Sequence, residues 1–281
     1  MGIRFIALDI DGTLLNSRFE VSTANRAMIT EATRRGIEVA LVTGRRYDFA
    51  MPVANQIDAP LTLIVNNGAL VRTKSGNTLL RHLLPRETAG RVLSATAQWR
   101  TATAVVFDRP QTNQIMLQSI DWDDRTRGGY YRRNRAFLAE AMPLESCLTE
   151  DPIQVMYTGT VAAMREAETA LRRVQFAEEF ALAATVYEDR DFSMIDVIRA
   201  GITKGATLAE WTAARHILPQ EILAIGDNHN DVEMLSFAGV PVVMENSVTE
   251  LKQRGWHVTG SNDEDGVATA IQRFALTETS E

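Results

Sequence analysis

The chain has a single cysteine, Cys147, so no disulfide can close within it, which fits a reducing compartment. Long hydrophobic runs are missing as well. No stretch approaches the ~18 apolar residues of a membrane span. The opening run MGIRFIAL is too short for the core of a signal peptide and is followed by the acids Asp9 and Asp11. An N-myristoylation signal is excluded, because position 6 holds Ile6 where that signal needs Ser or Thr. There is no surplus of positive charge either. The formal net charge is -7, which argues against a general nucleic-acid-binding surface. No internal repeat is visible, and no feature sets an oligomeric state. These absences lead to the expectation of a soluble, cytoplasmic protein with no membrane partner.

What is present supports a large core. Hydrophobic residues make up 45% of 281, enough for one large domain or two ordinary ones. Several short runs are apolar on consecutive residues, at 3–8, 37–42, 61–65, 222–225 and 240–244. Such runs suit strands buried on both faces of a parallel sheet covered by helices. Helical patterns lie between them, at 22–35 (N-cap Ser22, stop at Gly36), 204–215, 231–238, 248–254 and 267–274. The alternation predicts a doubly wound, Rossmann-like α/β domain.

The middle of the chain reads differently. A helix at 87–99 precedes strands at 104–107 and 115–120, then a polar, Arg-rich stretch. A strand at 153–157, a helix at 161–174 and strands at 182–187 and 193–197 follow. This is an α+β pattern, expected to form an antiparallel sheet with helices on one face. The expected organisation is a core in two parts, 1–84 and 192–281, with an α+β cap inserted over 85–191. The tail TETSE is expected to fray.

Ligands of open parallel sheets bind beyond the carboxyl ends of the strands. In this sequence four predicted strands end in polar groups. They are Asp9-Ile10-Asp11-Gly12-Thr13, Thr43-Gly44-Arg45, Asn66-Asn67-Gly68 and Gly226-Asp227-Asn228-His229-Asn230-Asp231. Residues two apart on an extended backbone point to one side, so Asp9 and Asp11 are expected to face one pocket that Asp227 joins. Carboxylates crowded together repel unless a cation sits between them, and hard oxygen donors suit Mg²⁺. An EF-hand calcium loop fails as an explanation. With Gly12 at its sixth position, Ala7 and Arg18 fall where acids are required.

DIDGT, VTGR, Lys204 and GDNHND together resemble the four motifs of the haloacid dehalogenase superfamily of phosphohydrolases. Asn67-Gly68-Ala69 and the element order of the insert resemble its Cof-type subfamily, with a C2B-type cap. The resemblance spans nearly the whole chain. It implies a Mg²⁺-dependent phosphatase in which Asp9 attacks phosphorus and becomes an aspartyl-phosphate. Asp11 would act as general acid and base, its backbone carbonyl helping to hold the metal. Thr43 and Gly44 would bind the phosphoryl group. Lys204 would neutralise charge between nucleophile and phosphate, and Asp227 would ligate Mg²⁺ beside Asp9 and Asp11. Asn230 would support the phosphate and Asp231 the metal, while Asn67 and Arg45 would contact substrate. A small phosphorylated metabolite is the implied partner, with a sugar phosphate as the default. One departure stands out: the usual Gly-Asn-Ala turn after the last core strand is here Glu245-Asn246-Ser247.

Other readings compete. A phosphotransferase or phosphomutase would use the same Asp9 with a sugar hydroxyl in place of water. A non-catalytic sensor of a phosphorylated ligand would have no need of a nucleophile. RTRGGYYRRNR, residues 125–135, carries five arginines and two tyrosines. It is either a solvated loop balanced by Asp121, Asp123 and Asp124, or an anion-gripping segment. As a single-stranded nucleic-acid platform it is opposed by the acidity of the chain. His229, Trp211 and Cys147 read as surface or packing residues.

Overall fold

A computed structural model describes residues 2–110 and 112–277. The last four residues of the TETSE tail lie outside the described residues. The chain divides into two compact units, Met1–Arg81 with Ile202–Glu281, and His82–Gly201.

The first half of the first unit runs β1 (Phe5–Leu8), α1 (Thr23–Arg34), β2 (Glu38–Val42), α2 (Tyr47–Ala54), β3 (Thr62–Val65), β4 (Leu70–Thr73) and β5 (Thr78–Arg81). The second unit contains α3 (Arg86–Ala95), β6 (Thr103–Val106), β7 (Ile115–Leu117), α4 (Gly128–Asn134), β8 (Leu138–Glu140), β9 (Gln154–Gly159), α5 (Val161–Arg172), β10 (Phe180–Tyr187) and β11 (Phe192–Arg199). The first unit then resumes with α6 (Lys204–Ala213), β12 (Ile222–Gly226), α7 (Val232–Phe237), β13 (Val240–Val243), α8 (Thr249–Lys252), β14 (His257–Val258) and α9 (Gly266–Ile271).

The first unit is built on one sheet in the order β14-β13-β12-β1-β2-β3-β4-β5. From β14 to β3 every pairing is parallel, and a β4–β5 hairpin extends the far edge antiparallel. All four residues of β1 are fully buried, as expected of a strand covered on both faces. Phe5 and Ala7 pack with Leu208 and Trp211 of α6 and with Met234 and Leu235 of α7. Ile6 and Leu8 turn to the opposite face, the side of α1, where Ile29 and Ala32 are buried. Each large aliphatic side chain so buried contributes about 1.5–3 kcal/mol. Helix α1 starts as its sequence dictates. The Ser22 hydroxyl accepts from the Asn25 backbone N–H at 3.0 Å, and Gly36 follows the helix at φ +82°.

The strand order reverses between β1 and β12. The chain moves from β1 outward to β2 and β3, then returns to lay β12 on the other side of β1. A doubly wound sheet opens its ligand crevice at such a switch point, and Asp9 and Asp227 follow these two strands directly.

The second unit holds a six-stranded sheet in the order β10-β11-β9-β6-β7-β8. One face is packed by Val92 and Leu93 of α3 and by Met164, Ala167 and Leu171 of α5, against Val105, Val155, Tyr157, Ile195 and Val197. The sheet is not wholly antiparallel, because β7 and β8 pair parallel. Residues 192–201 also belong to this unit and not to the core. Strand β11 is laddered along its length to β10 and to β9, so the unit closes at Gly201, after the strand ends. The Arg-rich stretch forms α4 and is tied down locally. Arg127 forks onto Asp124, Arg132 Nη1 donates to the Trp122 carbonyl at 2.9 Å, and Arg135 stacks over the Trp122 ring.

Candidate active site

The site is assembled at the carboxyl tips of β1, β2, β3 and β12, all within the first unit. Asp9 extends the ladder by one bond, its N–H donating to the Ile225 carbonyl at 3.0 Å. The chain then turns through Gly12 at φ +79°. A Cβ on Gly12 would sit 2.4 Å from Oδ2 of Asp227, so glycine is what lets the two strand tips approach. Thr13, fully buried, donates its hydroxyl to Oδ1 of Asp227 at 2.8 Å. Sequence reasoning passed over this residue, although its place in DIDGT was the available signal.

Lys204 opens α6 behind Thr203, whose hydroxyl caps the helix by accepting from the Ala206 N–H. Its ammonium is buried and donates to Oδ1 of Asp9 at 2.5 Å and to Oδ1 of Asp231 at 2.7 Å. Lys74, Lys204 and Lys252 are the only lysines among 29 basic residues in this arginine-rich chain. A compact ammonium fits between two carboxylates as a point charge, where a planar fork would not. Asp231 is fully buried, and its Oδ2 accepts from the backbone N–H groups of Asp227 (3.0 Å) and Asn228 (3.1 Å). Both its oxygens are therefore engaged, which makes it a support for the loop and for Lys204.

Oxygens of Asp9, Asp227 and Asp231 gather within 4.8 Å of one another. Three buried carboxylates face one ammonium, and the imbalance shows in their protonation. Burial, then the charge of Asp231, push the Asp9 carboxyl well above its ordinary range against the pull of Lys204. The same two causes push Asp227 up to about 7. Burial opposes the charge on Lys204, yet Asp231 and Asp9 outweigh it and hold the ammonium above its usual value. Asp9 and Lys204 are thus both raised, because one cation cannot neutralise three anions. A hard divalent cation would fit this donor set and would remove the excess charge.

Asp11 stands apart from this cluster. Its carboxylate is 39% exposed, and both oxygens are held by Arg45: Nη2 to Oδ1 at 2.6 Å and Nε to Oδ2 at 2.7 Å. Asp9 and Asp11 are therefore held by different cations, since β1 ends at Leu8 and the extended alternation ends with it. Arg45, read from the sequence as a substrate contact, has its guanidinium on Asp11.

Thr43 is buried at the tip of β2. Its hydroxyl accepts from the Arg45 N–H at 3.1 Å, and its carbonyl accepts from the Asn67 N–H at 3.1 Å. Gly44 lies against Asn67, whose Oδ1 would be 3.0 Å from a Cβ there. Asn66, Asn67 and Gly68 all have positive φ, at 51°, 54° and 103°. Asparagine and glycine are the residues that tolerate this region. Asn230 is half-buried in the short turn before Asp231. The departing turn Glu245-Asn246-Ser247 keeps one tie, because Asn246 Nδ2 donates to the Gly12 carbonyl at 2.8 Å.

The sequence profile of the haloacid dehalogenase-like hydrolases matches residues 6–271. Among characterised proteins, the chain is 28% identical over 294 residues to the chloroplastic endoribonuclease YBEY of Arabidopsis thaliana, covering 97% of this chain but 46% of that protein. The chain thus spans under half the length of that relative. It is 26% identical over 300 residues to the 5-amino-6-(5-phospho-D-ribitylamino)uracil phosphatase YwtE of Bacillus subtilis, covering 97% of this chain and 98% of that one. It is also 28% identical over 276 residues to an HMP-PP phosphatase of Serratia proteamaculans, covering 96% and 95%. A haloacid dehalogenase-like hydrolase from Bacteroides thetaiotaomicron shares the fold with a TM-score of 0.78 at 24% identity, covering 96% of this chain and 99% of the other. The chain belongs to the haloacid dehalogenase-like hydrolases, and within them to the Cof-type phosphatases.

Proposed function

We propose that the protein is a Mg²⁺-dependent phosphohydrolase of small phosphorylated metabolites, sugar phosphates by default, working through an aspartyl-phosphate on Asp9. The observation that carries this reading is the buried cluster at the switch point: Asp9, Asp227 and Asp231 around Lys204. The two relatives named as phosphatases, one of a phosphoribitylamino-uracil and one of HMP-PP, support a small phosphorylated substrate. Among the described residues no helix is long and apolar enough to cross a membrane. A cytoplasmic location is part of the proposal.

The chemistry follows from the charges. A carboxylate approaching a phosphate dianion meets strong repulsion, and phosphoryl transfer is accelerated mainly by cancelling it and by positioning. Asp9, Asp227 and the Asp11 carbonyl would hold Mg²⁺, which would supply part of that positive charge. Lys204 supplies the rest, and its charge favours the ionised form of Asp9. An oxygen of Asp9 attacks phosphorus, and the bond from phosphorus to the leaving oxygen breaks. Asp11 gives a proton to that oxygen. Water then attacks phosphorus, Asp11 takes a proton from it, the bond to Asp9 breaks, and inorganic phosphate leaves. Thr43, with the backbone at Gly44, and Asn230 hold the phosphoryl oxygens. A screen for phosphate release across phosphorylated metabolites, run with the wild type and with Asp9→Asn, tests the reading. Release by the wild type alone supports it, and equal release by a folded Asp9→Asn variant refutes it.

A further inference from the structure

Two cations serve the four acids of this site, and they are built differently. Lys204 is buried with its partners, its side chain 1% exposed against 6% for Asp9 and 0% for Asp231, which is a permanent arrangement. The Arg45–Asp11 pair is open to solvent, at 25% and 39%. Solvent reaches that pair, so it can exchange one partner for another without leaving a buried charge unpaired. The geometry of the open pair also matters. A carboxylate that accepts one N–H on each oxygen, from one guanidinium, is fixed in orientation by a two-pronged fork. With both oxygens so engaged, the Asp11 carboxylate cannot turn to a leaving group, which is the task the proposed function assigns it. The arrangement is therefore a resting one.

We infer that Arg45 is a positioning residue that latches Asp11 and releases it when a phosphoryl group of the substrate takes the guanidinium in its place. The inference rests on the phosphatase reading above. The anchor of the latch is firm although its fork is exchangeable. The Arg45 N–H donates to the Thr43 hydroxyl at 3.1 Å, and its carbonyl accepts from the Asn66 N–H at 2.9 Å. Nη1 donates to the Phe49 carbonyl at 3.2 Å. The backbone thus ties Arg45 to Thr43, the proposed phosphoryl contact, while Nε and Nη2 are committed to Asp11. Two oxygens of a phosphoryl group accept the same guanidinium fork as the two oxygens of a carboxylate, so it competes for those same two donors. Occupancy by substrate then frees the Asp11 side chain to turn toward the leaving oxygen, and an empty site keeps it parked.

Competition predicts a coupling that a simple binding role does not. The test is a double-mutant cycle on the full chain, using inorganic phosphate as the probe, measured by calorimetry at saturating Mg²⁺. Arg45→Met weakens phosphate binding on the order of tenfold or more, the usual effect of losing a charge-assisted contact. Asp11→Ala tightens phosphate binding several-fold in the wild-type background, because the competitor is gone. In the Arg45→Met background Asp11→Ala changes it about twofold or less, because only general repulsion is left to remove. Equal effects of Asp11→Ala in both backgrounds overturn the latch. Should Arg45→Met fail to fold, the crystal structure of the wild type with tungstate decides. The latch requires Asp11 to leave at least one fork nitrogen, and Asp11 still held by both overturns it. Wild-type hydrolysis of an alkyl phosphate is run alongside. Its absence is a failure of the phosphatase reading, whereas hydrolysis without coupling is a failure of the latch alone.

Discussion

If Asp227 ligates the metal as proposed, metal and proton compete for it, and the competition should be visible in stability. In the metal-free fold this carboxyl sits at about 7, against an ordinary 3.8, because it is buried beside Asp231. The folded state therefore holds the proton more tightly than the unfolded chain does. As pH rises from about 4 through 7 that proton is lost at the expense of the fold, so metal-free stability falls across this window. Asp9, raised by the same causes, adds in the same direction. For Asp227 alone the loss is on the order of 4 kcal/mol when fully ionised. On the proposed reading Mg²⁺ would bind the ionised form, so its stabilising effect should be largest above pH 7. At a hundredfold excess over Kd it contributes about 2.7 kcal/mol, or a rise of about 5–10 °C in the midpoint of the first unit. The assay is thermal unfolding of chelated protein at pH 5 and 7.5, with and without Mg²⁺. Asp227→Asn should flatten the pH dependence and remove most of the Mg²⁺ effect. A metal-free midpoint that rises between pH 5 and 7.5, or an Asp227→Asn variant that Mg²⁺ stabilises as it does the wild type, refutes the reasoning.

Three further outcomes follow from the same geometry. Asp11→Asn should slow hydrolysis of alkyl phosphates about 10²–10⁴-fold and spare an aryl phosphate, whose leaving group needs no proton; equal losses on both would make Asp11 structural. Gly12→Ala places a methyl group 2.4 Å from Asp227 Oδ2 at a positive φ, so it should abolish Mg²⁺ stabilisation in calorimetry and lower the midpoint, and a variant binding Mg²⁺ like the wild type contradicts that packing. Cys147 is buried, and burial pushes its thiol up to about 11, so alkylation by iodoacetamide at pH 7.5 should be slow in folded protein and rapid in denaturant, as read by mass spectrometry.

The parallel core was legible because its strands are buried on both faces. The consecutive apolar runs at the start of the chain and at 222–225 became β1 and β12, and their polar tips meet in the buried cluster of Asp9, Asp227 and Asp231. Several elements were not legible, each for a local reason. Helix α2 carries Pro52 in its interior, a residue that ordinarily argues against a helix. Helix α4 opens on Gly128-Gly129, poor helix formers, within a stretch so rich in arginine that it reads as loop. The end of the inserted unit was misplaced by ten residues, because β11 alternates and pairs like its neighbours but leads straight into the core. At the site, residue types were readable and partners were not. Lys204 and Asp9 are 195 residues apart, and no spacing rule says that Arg45 reaches back 34 residues to Asp11. Both pairings arise only when β1, β2 and α6 are packed together.

The central claim is that Asp9 carries the phosphoryl group. Wild-type protein mixed with a phosphate ester labelled at phosphorus, quenched in acid during turnover and digested, tests it most directly. The account predicts label on the peptide containing Asp9, acid-stable and released by hydroxylamine as an acyl phosphate, and none on the Asp9→Asn variant. Turnover with no protein-bound label, or with label on another residue, contradicts it.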